Sequence, residues 1–462
     1  MPKEDELVDK ANRKRRAAFE RDGAACHLNT FCGGIKIMRL SALFLVFGWV
    51  TIVCSDAKAL DIPEQLAGAA LEANPEISML RHQVAALKEQ EGASVIWRDP
   101  VFMVEYSNAP WEDPSLGEHP MSGLQLKVQQ TFPFPGKNDR RQAVAAGHVD
   151  LKALELAELK SQLRGKVRQL YWRLVLVKRL TGIRDKHIST LERLLEAVQA
   201  KYASGVANQQ DILKLQVLKE KLTDEIEDLN QKKRELRAMI NSALHRDIST
   251  PLETGEEIPL MECTTTLHEL IERAKKERQL LKFWKKKAEV ERLAADKELY
   301  EGRPDITLWT GYRIRKEVGA DKGEDFFSVG MSLPIPVDYK DRYNAKRRAR
   351  LADALASEEK YRSMLDKVSS EIEKSLSKWE RSCNKVTTYN RQLIPGAKST
   401  LEAALSAWEV GRTEFSSLYQ AEVQLLDFEK AVLMARAETV LMSLEIERLV
   451  GTPAERATEE AL

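Results

Sequence analysis

Trp97-Arg98-Asp99-Pro100 opens a short alternating run that closes in Thr131-Phe132-Pro133-Phe134-Pro135-Gly136-Lys137. Glu301-Gly302-Arg303-Pro304 opens a second, which closes in Ser332-Leu333-Pro334-Ile335-Pro336-Val337-Asp338. Further on, Tyr202-Ala203-Ser204-Gly205 is answered by Trp408-Glu409-Val410-Gly411. The offsets are 204 (100 to 304), 201 (133 to 334) and 206 (205 to 411). Three landmarks in one order at nearly one offset mark the duplication of a whole structural unit, long helices included.

The runs between these landmarks alternate with period two, the spacing that separates the faces of a β-strand. Leu124, Leu126, Val128 and Phe132 interleave with Gln125, Lys127, Gln129 and Thr131. Ile306, Leu308, Tyr312 and Ile314 interleave with Asp305, Thr307, Arg313 and Arg315, with Trp309 interrupting the polar side. Phe327, Val329, Met331 and Leu333 interleave with Ser328, Gly330 and Ser332. Phe102, Val104 and Tyr106 interleave with Met103, Glu105 and Ser107, the weakest of the four. Lengths of about 8 to 11 residues suit a tilted strand crossing a bilayer. The plain alternative is a pair of soluble hairpins with one face on a core. Four strands cannot close a barrel, however, and the rest of the chain is helix too long to cap them. Lipid tolerates no open strand edge, so membrane strands here require several chains to share one barrel.

Charged residues make up 31% of the 462 residues and aromatics 6%, the profile of long helices rather than of compact mixed domains. Seventy-two basic and 71 acidic residues leave a net charge of +1, so bulk electrostatics give no case for nucleic acid. Residues 61–97 read as helix on Ala69, Ala70, Ala73, Ile77, Leu80, Val84 and Leu87, with a break at Asn74-Pro75. No proline occurs from Lys137 to Thr250, and Asn138 to Ala200 would make a rod of roughly 95 Å. Leu365, Val368, Ile372, Leu376, Trp379, Cys383 and Val386 form a coiled-coil seam, which Pro395 is expected to interrupt. Gly205 and Gly411 are each followed within six residues by a cap-type residue, Asp211 and Ser417. Each glycine is expected at a hairpin tip where one long helix turns into the next.

The N-terminal segment reads as an export signal: Lys36 and Arg39, an apolar stretch from Leu40 to Val53, and cleavage at Ala57-Lys58-Ala59. Met38 is the expected start of translation, and Cys54, after Thr51 and Val53, is a poor lipidation site. Cys263 and Cys383 stand in a linker and a helix, and neither a disulfide framework nor a zinc site is expected. His82, His119, His148, His187, His245 and His268 are scattered without paired spacing and are expected at the surface. His119 and Met121, in a predicted extracellular loop, are a faint exception for metal contact. No phosphate loop, nucleophile elbow or HExxH motif appears, so no enzyme, cofactor or metal centre is expected.

Taken in order, these features resemble the TolC-type outer-membrane efflux family, with two tandem copies of helix, two strands and two long helices. The resemblance spans about residues 60–452 and rests also on Ala73-Asn74-Pro75-Glu76 and Leu393-Ile394-Pro395. Gln130 to Lys137 is similar to the branch that serves heavy-metal pumps of the cobalt-zinc-cadmium type. The implied fold is mainly α with membrane β. Long helical hairpins build a periplasmic α-barrel, and each chain gives four strands to a trimeric, twelve-stranded outer-membrane β-barrel. The implied division is 1–59 extension and signal, 60–250 first repeat, 251–266 linker, 267–452 second repeat and 453–462 tail. Within the repeats, strands are expected near 100–108, 123–132, 305–315 and 326–334, with long helices near 138–203, 207–245, 341–408 and 414–450.

The resemblance further implies a passive duct joined to an inner-membrane pump through a periplasmic adaptor, with helices projecting into the periplasm. Many members carry two carboxylates six and nine residues after the second tip glycine. Here Ser417 and Gln420 occupy those positions, while Asp211 lies six residues after Gly205. A duct needs a wet lumen, which Gln125, Lys127, Gln129 and Thr307 would line, and an apolar outer band. Pro133, Pro135, Gly136, Pro334 and Pro336 fit the turns where barrel bends into helix, since proline donates nothing to a ladder. At the tips, Asp211 and Arg412 are expected to form an ion pair between neighbouring hairpins. The competing reading is a periplasmic coiled-coil adaptor or scaffold, which would leave the lipid-ready alternation unexplained.

Overall fold

The computed structural model describes residues 54–108, 111, 119, 121–261 and 263–451. The expected signal from Lys36 to Val53 and the tail at 453–462 lie outside them. Helices α1 (Cys54–Ala73) and α2 (Pro75–Ala93) are parted at Asn74, whose Oδ1 accepts from the Glu76 and Ile77 N–H groups at 2.9 and 3.4 Å. Pro75 opens α2 where a helix needs no donor. The buried stripe runs through Ala67, Ala70, Ile77 and Leu80, whereas Ala69 and Ala73 face outward. Strands β1 (Val101–Ser107) and β2 (Gly123–Phe132) follow, then α3 (Lys137–Ala203) and α4 (Gln209–Ala243).

The same order returns in α5 (Leu267–Glu277), α6 (Gln279–Glu301), β3 (Ile306–Ile314), β4 (Phe326–Ser332), α7 (Tyr339–Thr388), α8 (Ile394–Glu409) and α9 (Phe415–Val450). The break between α5 and α6 falls at Arg278, 204 residues after Asn74, but is stabilised differently. Arg278 is buried and donates to the Arg448 carbonyl and to Glu158 Oε1, the latter at 2.7 Å.

Helix α9 is apolar on most sides because neighbours cover it on several. Leu433, Ala437, Val440, Leu441 and Leu444 pack against Tyr171, Trp172 and Val175 of α3. Ile446, Leu449 and Val450 pack against Ile372, Leu376 and Trp379 of α7 and Leu270 of α5. Each large apolar side chain so buried stabilises the fold by about 1.5–3 kcal/mol. Val368, Ile372, Leu376, Trp379 and Val386 are buried, as their seam spacing requires.

Two expectations fail here. Pro395 does not interrupt the helix. A π turn, Tyr389–Leu393, precedes it and the Ile394 N–H bonds back five residues to Tyr389. That wider turn absorbs a residue with no N–H to offer, and Pro395 then sits in the first turn of α8. Cys263 and Cys383 also form a disulfide, with Cα atoms 6.6 Å apart. The linker runs alongside the α7 seam, a tertiary adjacency that 120 residues of separation conceal.

The four strands form one antiparallel sheet in the order β1-β2-β3-β4. Leu126 stands opposite Val104 on one side and Tyr312 on the other, and Lys127 opposite Met103 and Gly311. The central β2–β3 pairing therefore joins the two copies of the repeated pattern. Among the described residues no helix is long and apolar enough to cross a membrane.

Candidate functional site: the sheet faces, the junction and the helix tips

Antiparallel register puts opposed residues on the same face, so the alternation of one strand extends across the sheet. Gln125 stands opposite Glu105 and Arg313, and Gln129 opposite Val101 and Trp309. Arg313 Nη2 donates to Gln125 Oε1 at 3.1 Å, Thr131 and Thr307 share a 2.9 Å hydrogen bond, and Lys127 Nζ lies 4.4 Å from the Trp309 ring centre. Gln125, Lys127, Gln129 and Thr307 thus lie on one predominantly polar face. Trp309 fits there because Gly330 leaves room: a Cβ at that glycine would come within 2.3 Å of the indole. The other face carries Phe102, Val104, Leu126, Val128, Leu308, Tyr312, Phe327, Val329 and Met331. Phe327 and Val329 are 70% and 71% exposed. A contiguous apolar band of this extent marks a surface built to be covered. Among the described residues no strand lies beside the outer edges of β1 and β4.

Where β2 meets α3, Pro133 and Pro135 precede Gly136, which takes a left-handed φ of 81° before the helix starts at Lys137. A partly buried ion network, centred on the buried Lys137, holds this turn against the start of β3. Lys137 Nζ donates to Asp305 Oδ1 at 2.6 Å and to the Arg303 carbonyl at 2.9 Å. Phe134 N–H donates to Asp305 at 3.0 Å, and the Arg141 fork grips Glu301 at 2.6 and 2.8 Å. Burial alone would raise the Asp305 carboxyl pKa, but the Lys137 ammonium and the Phe134 N–H outweigh it and hold it below the carboxylate range. Sequence reading marked the prolines and the glycine of this turn but missed the charges. Pro334 and Pro336 follow β4 directly, and between and beyond them Ile335 and Val337 are 80% and 89% exposed.

Both tips end on the same backbone motif. Gly205 takes φ 76° and Gly411 φ 72°, left-handed values that favour glycine. Gly205 N–H bonds to the Tyr202 carbonyl and Val206 N–H to Lys201, while Gly411 N–H bonds to Trp408 and Arg412 N–H to Ala407. These are the paired bonds of a Schellman ending, satisfying the last carbonyls of α3 and α8. Asp211 lies in the first turn of α4, whose N-cap position is held by Asn208, and Ser417 and Gln420 lie exposed on α9, after its N-cap residue Glu414. Within one chain Asp211 faces Lys214 at 3.9 Å, and Arg412 is exposed. The tip-to-tip tie inside the chain comes from Lys201, which sequence reading missed. Its Nζ donates to the Trp408 and Glu409 carbonyls at 2.8 and 3.0 Å and lies 4.2 Å from the Trp408 ring centre. A cation there meets the negative end of a neighbouring helix.

One histidine corrects the expectation of a surface position. His187 is buried in α3 between two glutamates of α9, with Nδ1 2.6 Å from Glu422 and Nε2 3.1 Å from Glu429. Burial would lower its pKa, but the hydrogen bonds and charges of both glutamates prevail and push it up to about 9. His82, His119, His148, His245 and His268 are exposed. Met121 Sδ faces Arg315 Nη1 at 3.7 Å, a cation where a metal would need to be, and no metal-binding group occurs among the described residues.

Comparison with known proteins follows the same lines. Residues 286–452 match the family model described as Outer membrane efflux protein. No curated protein matches the chain. Among solved structures, CusC, whose crystal structures concern folding and transmembrane channel formation, is similar at TM-score 0.70 and 13% identity, over 85% of this chain and 92% of that one. VceC, an outer membrane protein of Vibrio cholerae, gives TM-score 0.69 and 15% identity, over 85% and 97%. The CmeC outer membrane channel of Campylobacter jejuni gives 0.68 and 11%, over 95% of each chain. At these identities the structures establish the shared fold of long helical hairpins and four antiparallel strands, and residues 286–452 are the segment that resembles the outer membrane efflux proteins in sequence.

Proposed function

We propose that this chain is an outer membrane efflux protein and that three copies of it close one twelve-stranded barrel, whose polar face lines an aqueous exit and whose apolar face meets lipid. The observation that carries the reading is a four-stranded sheet with one polar face, one exposed apolar face and two open edges. Only closure removes strand edges in lipid. An adaptor or scaffold with a soluble sheet gives no reason for Phe327, Val329 and Met331 to stand uncovered. Mass measurement in detergent should return a trimer, and a stable folded monomer would overturn the shared barrel.

The helices would continue the exit through the periplasm, with an adaptor and an inner-membrane pump at the far end. We place closure of the duct at the tips around Gly205 and Gly411, where Lys201 ties the two hairpins of a chain. Lys201→Glu should then raise passive entry of large antibiotics in cells lacking the pump, and Arg412→Glu should do so if it pairs with Asp211 of a neighbour. Lower resistance without any leak would instead make these residues adaptor contacts. Similarity around Gln130 to Lys137 supports heavy-metal cations as the cargo class, selected by pump and adaptor. Sensitivity of a deletion strain to cobalt, zinc and cadmium salts, set against organic antibiotics, tests that class.

A further inference from the structure

Midway along the helices, the linker between the repeats lies against α3 beside two cavities of 530 and 430 Å³. Both volumes fall in the range of ligand pockets. The cavities share Lys178, which stands 41 residues after the start of α3, roughly 60 Å from the sheet and roughly 40 Å from the tip at Gly205. Lys178, Arg179, Lys186 and Arg436 line the first with Glu256 and Glu429, and Lys178, Lys233 and Arg237 line the second with Glu253. Six cations thus face three carboxylates. Among the described residues only Lys186 of the six is ion-paired, with Glu429 at 3.8 Å, whereas Arg168 and Arg184 of the same helix have Glu447 and Glu225. Arg237 and Arg436 each keep a buried Nε–H without an acceptor, so no group of the chain orients either guanidinium. Exposed lysines alone would be a solvated face, but two half-buried guanidinium groups without acceptors are not. The linker is equally open. From Leu252 to Leu260 it has neither helix nor strand, and Gly255, donating to Tyr171 Oη at 2.8 Å, has the one amide there that bonds to a described residue. That bond and Ile258, buried with Tyr171 and Trp172, pin the segment while its other N–H groups stay unengaged.

We infer that the linker and the two cavities form a docking groove for an acidic peptide segment of a periplasmic partner protein. Arg436 comes from α9 and Arg237 from α4, in different cavities that meet at Lys178. A small anion seated in one cavity would leave the cations of the other unmatched. The ligand that matches both is extended and carries carboxylates at intervals, which guanidinium groups bind through paired N–H donors. Its backbone can accept from the open amides of the linker, the way an extended peptide adds to an unpaired edge. Asn390 of the π turn, exposed in the first cavity, offers an amide that both donates and accepts. A partner so held is fastened at mid-height, away from the sheet and from the tips.

Fluorescence anisotropy of a fluorescein-labelled hexaglutamate, titrated with the intact protein in detergent, tests this. Saturable binding is expected at low salt and should weaken severalfold as salt is raised to about 0.2 M. Arg237→Glu combined with Arg436→Glu should weaken it about tenfold, and Glu253→Lys combined with Glu256→Lys should strengthen it about tenfold. The second pair alters two exposed linker residues, so a folding defect in the first would not decide the matter. Labelled hexalysine should not bind. No saturable binding of hexaglutamate, or an affinity unmoved in either pair, would overturn the groove. So would displacement by citrate as effective as that by unlabelled hexaglutamate at equal carboxylate concentration, which would describe a small-anion pocket. A monomeric mass in the same sample would overturn the shared barrel and leave the groove, which one chain supplies, standing.

Discussion

Replacing His187 by alanine is expected to loosen the packing of α3 on α9 by about 3–5 kcal/mol, because it strands a buried carboxylate. Glu422 is 4% exposed and draws its charge-assisted bond from His187 Nδ1, while Glu429 also has Lys186 Nζ at 3.8 Å. The loss should therefore be centred on Glu422. Hydrogen exchange of the amides around residues 187 and 422 reads it locally, with no need for the whole protein to unfold in one step. His187→Gln, which keeps one donor, should lose less. The same group gives a pH signature. Its folded pKa lies above its unfolded value, so the contribution is complete below about pH 6.5 and is lost as pH climbs through about 9. Local opening in the wild type should become easier across that interval, once the intrinsic rise in exchange is divided out, and the alanine variant should be flat. An alanine variant indistinguishable from wild type at pH 7 would show that the two glutamates find other partners.

Leu126→Arg is expected to cost about 2–4 kcal/mol and to impair assembly, since it places a charge at the middle of the proposed lipid face. Leu126 lies on the apolar side of β2 between Val104 and Tyr312. Val128→Arg should behave similarly. Lys127→Glu, one residue away but on the polar face, should be tolerated, losing only a stacking contact with Trp309. Yield of trimer in outer-membrane fractions separates the two faces. Equal damage from both would describe a hairpin packed on two sides, as in a soluble domain.

The fold class was legible because its signals are local. Leu124 to Phe132 alternate within one strand, and each tip glycine sits where its own helix must end left-handed. What escaped reading is set by partners far away in the chain. His187 looks like any other helix histidine until Glu422 and Glu429 arrive from α9. Lys201 reads as a surface lysine until α8 ends beneath it. Arg278 replaces an Asn-Pro break with a buried cation whose partners, Glu158 and the Arg448 carbonyl, lie on two other helices. Cys263 and Cys383 could be paired only by knowing that the linker lies along α7. At Pro395 the local rule was sound in its physics, but a π turn satisfied it without a break.

In the proposed barrel, the bond between Cys263 and Cys383 makes the two strand hairpins unequal passengers. It ties a covalent ring that contains α5, α6, β3, β4 and most of α7, while β1 and β2 remain on open chain. Such a bond persists only in an oxidising compartment, beyond the cytoplasm. Once it is sealed, the second hairpin can approach the bilayer only as a noose, both strands arriving together from a tethered base, whereas the first can still be threaded from one end. The order in which oxidation and insertion occur thus dictates which routes into the barrel are topologically open to each half of the chain.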